Sequence, residues 1–250
     1  MYPIICEIGP FTIYSYGLTL VLAFIISSTL AKFQAKRQNI NPDLIFNLAF
    51  IVFISGIIGA RLLYIIENIG YYIKNPIEII MLPHGGLSWF GGLIFGIISG
   101  IVYLKKKDLS LYKIFDLVVP FVALAGGIGR IGCLLNGCCF GKVSRFGIYF
   151  DVHKSVLIPT QLYSSLALIL IFIILRFLQD RPHRTGEIFF TYLLLYSAKR
   201  FSIEFWRADN QIIFSGLTLF QLISVVIFVI VFLKLILIKR EYLLGTDRHG

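Results

Sequence analysis

The apolar positions of this chain fall in long unbroken runs, not in the alternation of strands or the half-polar stripe of a soluble helix. Residues 8–31, 85–104, 155–175 and 210–233 contain no Asp, Glu, Lys or Arg. Each is close to the ~20 residues a helix needs to cross a bilayer. Three further runs are similarly apolar but hold charge: 44–67 around Arg61, 111–137 around Asp116 and Arg130, and 186–207 around Lys199, Arg200 and Glu204. The pattern predicts an all-α integral membrane protein with seven transmembrane helices. Barrel strands are shorter and alternate apolar with polar residues, and these runs do not. No long linker, low-complexity segment or short repeat divides the chain. Residues 1–250 are expected to form a single transmembrane domain with a small external loop region at about 138–158.

Composition agrees with this class. The chain is 58% hydrophobic and 14% charged, against about 25% charged in an ordinary soluble domain. A disordered chain, a disulfide-stapled miniprotein and a soluble enzyme are excluded. The net charge of +10 would point to nucleic acid in a soluble protein. Here it reads as topology. Sorting the loops alternately puts 14 of the 23 basic residues on one side and seven on the other, with Arg61 and Arg130 inside spans. The richer side is cytoplasmic, so the N-terminus is outside, the C-terminus is cytoplasmic, and no nucleic acid is needed as a partner. The first run has no basic segment before it, the first Lys being Lys32, and lacks a clear small-residue cleavage site. It is expected to be a retained span rather than a signal peptide.

With this orientation the unusual polar residues gather at one depth, the outer half of the bilayer. Arg61, Arg130 and the cluster from Arg200 to Arg207 lie toward the outer ends of outward-running spans, and Tyr14, Tyr16, residues 85–92 and residues 159–163 begin inward-running ones. Charge inside a membrane is costly and by default marks function. Tyr196, Arg200 and Glu204 are spaced i, i+4, i+8 on one helix face, with Arg207 three further on. Two readings are open for this cluster: a structural Arg–Glu pair with interfacial snorkelling, or a cationic site for an anionic headgroup in which Glu204 orients an Arg. A planar, permanently charged guanidinium suits phosphate. Gly126-Gly127-Ile128-Gly129-Arg130-Ile131-Gly132 sets an Arg among glycines. Close helix packing explains some of those glycines, though packing does not require the charge. Gly92, Gly96 and Gly100 read as packing. Residues 85–92 read either as a helix start or as a loop bringing backbone N–H groups to a ligand.

The four cysteines are Cys6, Cys133, Cys138 and Cys139. The spacing Cys133-x4-Cys138-Cys139 is not that of a zinc finger and no His pair is near, so no metal is expected. Buried apolar thiols and an external disulfide both remain open, with no pairing readable.

The segment GRIGCLLNGCCFG (Gly129–Gly141) resembles the signature of the bacterial prolipoprotein diacylglyceryl transferases. IGPFTIYSYGL, GARLLY, GGLSWFGGLIFG, PTQLY and RFSIEFWRAD follow the same family's order over about 200 residues. The resemblance implies seven spans with the N-terminus out, in the bacterial cytoplasmic (inner) membrane. It implies transfer of the diacylglyceryl group of phosphatidylglycerol to the lipobox cysteine of prolipoprotein signal peptides, forming a thioether and releasing glycerol phosphate. Membrane lipid is then both substrate and surroundings, and no cofactor is implied. It gives Arg130 and Arg200 as essential arginines and Glu204 as the acidic residue, expected to orient Arg200 or Arg207. Tyr16, Tyr64 and Tyr196 fall near the headgroup. Asn136, Gly137 and Gly141 form the polar turn, and Gly86, Gly91, Gly92, Gln161, Tyr163 and Arg207 complete the substrate-binding set.

The chain departs from the family pattern at Phe90, where many members carry His, at Cys133 for Asn, at Cys138 for Glu and at Ser164 for an acid. The acceptor of the thiol proton therefore stays open among Glu204, a Cys138 thiolate and the arginine field alone. Two rival classes stay open as well: a divergent member with another acceptor or a thiol-based role, and a small membrane transporter. Against the transporter, no inverted repeat is evident and the charges gather at one leaflet.

Overall fold

The computed structural model describes residues 2–8, 11–79, 86–208, 210–214 and 216–246. Among the described residues, six helices are long and apolar enough to cross a membrane: α1 (Ser15–Arg37), α2 (Pro42–Glu67), α4 (Trp89–Lys106), α5 (Leu111–Asn136), α6 (Thr160–Gln179) and α8 (Leu219–Thr246). The short α3 (Ile69–Tyr72) follows α2. The run at 186–207 forms α7 (Glu187–Glu204), whose Glu187, Lys199, Arg200 and Glu204 set it apart from the six in composition.

The run boundaries shift in three places. The start of the first run is not helical: β1 (Ile4–Ile8) and β2 (Phe11–Tyr14) pair antiparallel, and the helix starts at Ser15. The Ser15 hydroxyl donates to the Pro3 carbonyl at 2.8 Å and fixes the hairpin to the start of α1. The segment 138–158 is a hairpin of β3 (Val143–Phe150) and β4 (Ser155–Leu157). Residues 210–218 make a third, β5 (Ile212–Phe214) with β6 (Leu217–Thr218). Apolar content alone does not separate such strands from the helix that follows them.

The described chain divides into two compact units, Met1–Ser27 with Tyr112–Gly250, and Ser28–Leu111. In the second, α2 packs on α4 through small residues. A Cβ added at Gly59 would lie 2.7 Å from the Gly91 carbonyl, and one at Gly91 would lie 2.7 Å from the Leu63 Cβ. This is the small-residue approach that brings membrane helices together without a hydrophobic driving force. Arg61 is buried. Its guanidinium donates to the carbonyls of Glu78, Ile79 and Gly86, and stacks 5.4 Å from the Tyr72 ring.

In the first unit, Val119, Ala123, Leu168, Ile171, Leu175 and Ile188 form a core between α5, α6 and α7. Pro120 lies inside α5, which runs on unbroken past it. It has no N–H for the Asp116 carbonyl four residues back, and the buried Gln179 amide donates to that carbonyl at 2.6 Å and to the Leu117 carbonyl at 3.0 Å. The Asp116 carboxylate accepts from the Gly186 and Phe189 N–H groups and so caps the start of α7. Its negative charge complements the positive end of that helix.

Candidate functional site

The end of α5 sets the geometry. Gly137 has φ +74°. Its N–H donates to the Leu134 carbonyl and the Cys138 N–H to the Cys133 carbonyl, both at 3.1 Å. These are the paired bonds of a Schellman motif, which brings the residue two past the helix end over the residue four places before the left-handed glycine. Those two positions are Cys138 and Cys133. Cys139 follows with φ +62°. All three sulfurs lie within 4.8 Å of one another. The Cys138 thiol lies 3.7 Å from the Cys133 carbonyl. The sequence pattern gave no reason to expect a three-thiol cluster, because its spacing matches no zinc finger. The signal was a Cys on either side of a helix-ending glycine.

The turn is held from outside. Gln161 Nε2 donates to the Cys138 carbonyl at 2.6 Å and Thr160 Oγ1 to the Cys139 carbonyl at 2.7 Å. The His153 ring lies 3.2 Å from the Gly137 carbonyl and packs 4.0 Å from the Phe140 ring. Gly141 bridges Arg207, and the Lys142 N–H donates to the Trp206 carbonyl at 2.8 Å. A Cβ at Gly141 would lie 2.8 Å from both Ile158 and Thr160. Gln161 and Gly141 thus shape the turn and its junction with the end of α7. Sequence reasoning missed Thr160 and His153, whose contributions depend on carbonyls of another segment.

Arg130 sits one turn before the cluster on α5. It is half-buried and, among the described residues, has no hydrogen bond or ion pair. The glycines around it divide by role. Gly127 lies against α6, where its carbonyl accepts from Ser165 at 2.8 Å, and Gly132 lies against Thr19 and Tyr16 of α1. Gly129 faces open space. Tyr16 interacts electrostatically with Arg130 and with all three cysteines. The Cys139 thiol is held below the usual thiol range, first by the neighbouring Cys133 and Cys138 thiols and then by the charges of Arg130 and Arg207.

Arg200 is placed differently. Its guanidinium forms an ion pair with Glu204 at 3.3 Å and stacks 4.4 Å from the Phe220 ring. Glu204 is 3% exposed. Its Oε1 accepts from Asn210 and, at 2.9 Å, from Thr218 Oγ1. Asn210 and Thr218 belong to the third hairpin segment and went unnoticed in sequence, having no motif of their own. A cavity of about 330 Å³ opens here, lined by Lys142, Glu204, Arg207, Asn210, Thr218 and Gln221. A larger one of about 630 Å³ is mostly apolar and is lined by Phe146, Tyr163, Ala167, Lys199, Ile203 and Trp206 among others. Tyr163 meets Trp206 edge-on at 6.1 Å. The Lys199 ammonium lies 4.5 Å from the Tyr196 ring, and Tyr196 also packs on Tyr192.

The structure therefore brings Tyr16, Arg130, Asn136, Gly137, Cys138, Gly141, Gln161 and Arg207 to one end of the first unit, with Glu204 beside Arg207 across the smaller cavity. Tyr64, Gly86, Gly91 and Gly92 belong to the second unit. There Gly91 and Gly92 pack on α2, Gly86 lies against the Tyr64 ring, and Tyr64 meets Tyr72 edge-on at 6.4 Å. Gly85 and Asp209, which complete two of the motifs, lie outside the described residues.

Comparison with known proteins gives a family. A model of the family "Prolipoprotein diacylglyceryl transferase" matches residues 3–237. The phosphatidylglycerol–prolipoprotein diacylglyceryl transferase of Clostridium tetani is 38% identical over 234 residues, covering 90% of this chain and 92% of the relative. Those of Staphylococcus xylosus and Streptococcus mutans are 33% and 35% identical, each over 96% of this chain and over 90% and 95% of their own. The match runs through the turn, the arginines and the apolar helices alike, so this multi-pass membrane chain belongs to the prolipoprotein diacylglyceryl transferase family.

Proposed function

We infer that this chain transfers the diacylglyceryl group of phosphatidylglycerol to the lipobox cysteine of prolipoprotein signal peptides. It works as a single transmembrane domain in the bacterial cytoplasmic membrane, with α7 as a seventh span, the N-terminus outside and the C-terminus inside. The family membership and the names of the relatives support the reaction. The basic loops support the orientation.

The chemistry is displacement at carbon. The acceptor thiolate forms a C–S bond to the glyceryl carbon that carries the phosphate, the C–O bond to phosphate breaks, and the electron pair leaves with glycerol phosphate. Negative charge builds on the phosphate oxygens, so a preoriented cation there lowers the barrier. The observation that carries this reading is Arg130: a half-buried guanidinium in a membrane helix, with no ion pair among the described residues, beside an open face at Gly129. A cation without a carboxylate partner at such a site suits an external anion. Arg200 is a second phosphate-facing cation, held in place by Glu204. Arg207 adds to the field, and Tyr16, Tyr196 and Asn136 serve the headgroup. The smaller cavity has the polarity of a glycerol phosphate and the larger one that of an acyl chain.

The test is direct. Purified protein in detergent or nanodiscs is incubated with phosphatidylglycerol and a lipobox peptide, and the product is read by mass spectrometry. A thioether-linked diacylglyceryl adduct on the cysteine is expected. Folded protein that yields none overturns the reading.

A further inference from the structure

We propose that Cys133, Cys138 and Cys139 form a three-thiolate site for Zn²⁺, a thiophilic d¹⁰ cation, with its fourth position open to the acceptor thiol. The proposal rests on the transferase reading for the identity of that thiol, but not for the metal site itself.

Four observations carry it. First, the sulfurs already lie within 4.8 Å of one another. Tetrahedral zinc with Zn–S bonds of about 2.3 Å sets sulfurs roughly 3.8 Å apart, so closure takes side-chain adjustment and no refolding. Second, the backbone is arranged for convergence. The Schellman bonds at Gly137 bring Cys138 over Cys133, and Cys139 takes the left-handed conformation, φ +62°, that a non-glycine residue adopts at a cost. Third, the carbonyls of Gly137, Cys138 and Cys139 are occupied by His153, Gln161 and Thr160. The turn is thereby fixed from behind, as a ligand shell must be. Fourth, the charge balances. Zinc with three thiolates carries −1 and with a fourth −2, and Arg130 and Arg207 act electrostatically on this cluster.

The ligand count decides the role. Structural zinc sites are closed by four protein ligands, whereas catalytic ones keep three and leave a position for water or substrate. Among the described residues the cluster holds three candidate ligands. Soft thiolates select zinc over magnesium or calcium. A thiol entering the fourth position is deprotonated by the metal, its proton passing to solvent, as do the three lost when the cysteines bind. The metal-held thiolate then attacks the glyceryl carbon as the phosphate leaves toward Arg130. The thioether product is a poor ligand and departs. Nothing is oxidised or reduced. Cys133, Cys138 and Cys139 would thus supply the thiol activation that no single base in this site was assigned.

The site is tested first with metal alone. Detergent-solubilised, reduced protein is titrated with Cd²⁺ without lipid or peptide, following sulfur-to-cadmium charge-transfer absorption. One equivalent is expected to bind. Cys133→Ser, Cys138→Ser and Cys139→Ser should each weaken it by at least the roughly 10–100-fold that even an outer-shell change costs, while Cys6→Ser leaves it unaltered. No thiolate band, or a band that survives the three substitutions, overturns the site. The open position is tested on wild-type protein loaded with Co²⁺, so no variant need fold. A lipobox peptide should change the visible cobalt spectrum and its Cys→Ser counterpart should not. An unchanged spectrum overturns the acceptor role. A failed transfer assay beside positive metal binding would count against the transferase reading alone, and absent metal binding beside active transfer against the zinc site alone.

Discussion

Arg130 and Arg200 are the same residue type and share a proposed role, yet their surroundings separate them. Arg130 has no hydrogen bond or ion pair among the described residues, whereas Arg200 is balanced by the buried Glu204. Removing Arg130 should therefore cost catalysis without costing stability. Arg130→Ala is expected to lower turnover by about 10²–10³-fold, the scale of a lost donor to developing charge, with an unaltered melting midpoint. Arg200→Ala should lower both, because it leaves a buried carboxylate uncompensated, a loss on the order of 3–5 kcal/mol. Thermal unfolding measured beside single-turnover transfer checks the pair. Equal melting of the two variants would contradict the difference in pairing. Sequence showed the i, i+4 spacing of Arg200 and Glu204. It did not show Thr218 and Asn210 on the far side of that carboxylate, because those contacts join a hairpin to a helix end.

At the scale of elements, α5 is tied to both α6 and α7. Pro120 frees the Asp116 carbonyl, Gln179 of α6 takes it up, and the Asp116 side chain caps α7. Gln179→Leu should leave a buried carbonyl unsatisfied and cost about 1–3 kcal/mol. Much of that loss should vanish in a Pro120→Ala background, where the helix can close its own bond. A double-mutant cycle on thermal unfolding reads this coupling, and strict additivity would sink the account. In the other unit, the α2–α4 crossing at Gly59 and Gly91 leaves no room for a side chain. Gly91→Val should separate the helices and lower the yield of folded protein in detergent, while Gly17→Ala, where nothing lies within 4 Å of an added Cβ, should be tolerated. Gel filtration of the two variants side by side checks the difference.

For the whole molecule, charge distribution predicts orientation. Cys6 is exposed in the first hairpin, and with the N-terminus outside it should react with a membrane-impermeant maleimide added to intact spheroplasts. A reporter fused at the C-terminus should be active only in its cytoplasmic form. Labelling of Cys6 only after the membrane is opened would invert the topology. The variant for this experiment keeps Cys6 and carries Ser at the other three positions, so that a single thiol reports.

Sequence by itself determined the class, the apolar spans and the places where charge interrupts them. Long charge-free runs have one stable environment, and a buried arginine is too costly to persist without use. Tertiary structure decided what those residues meet. It decided that Ile4–Ile8 pairs with Phe11–Tyr14 and Val143–Phe150 with Ser155–Leu157, that Glu204 belongs to Arg200, that Gly91 and Gly141 serve close backbone approach, and that Cys133, Cys138 and Cys139 converge. The reason is the same in each case. Hydropathy is a property of a segment and survives in one dimension, whereas a hydrogen bond, an ion pair or a thiol cluster depends on how a turn such as that at Gly137 directs the chain back onto itself.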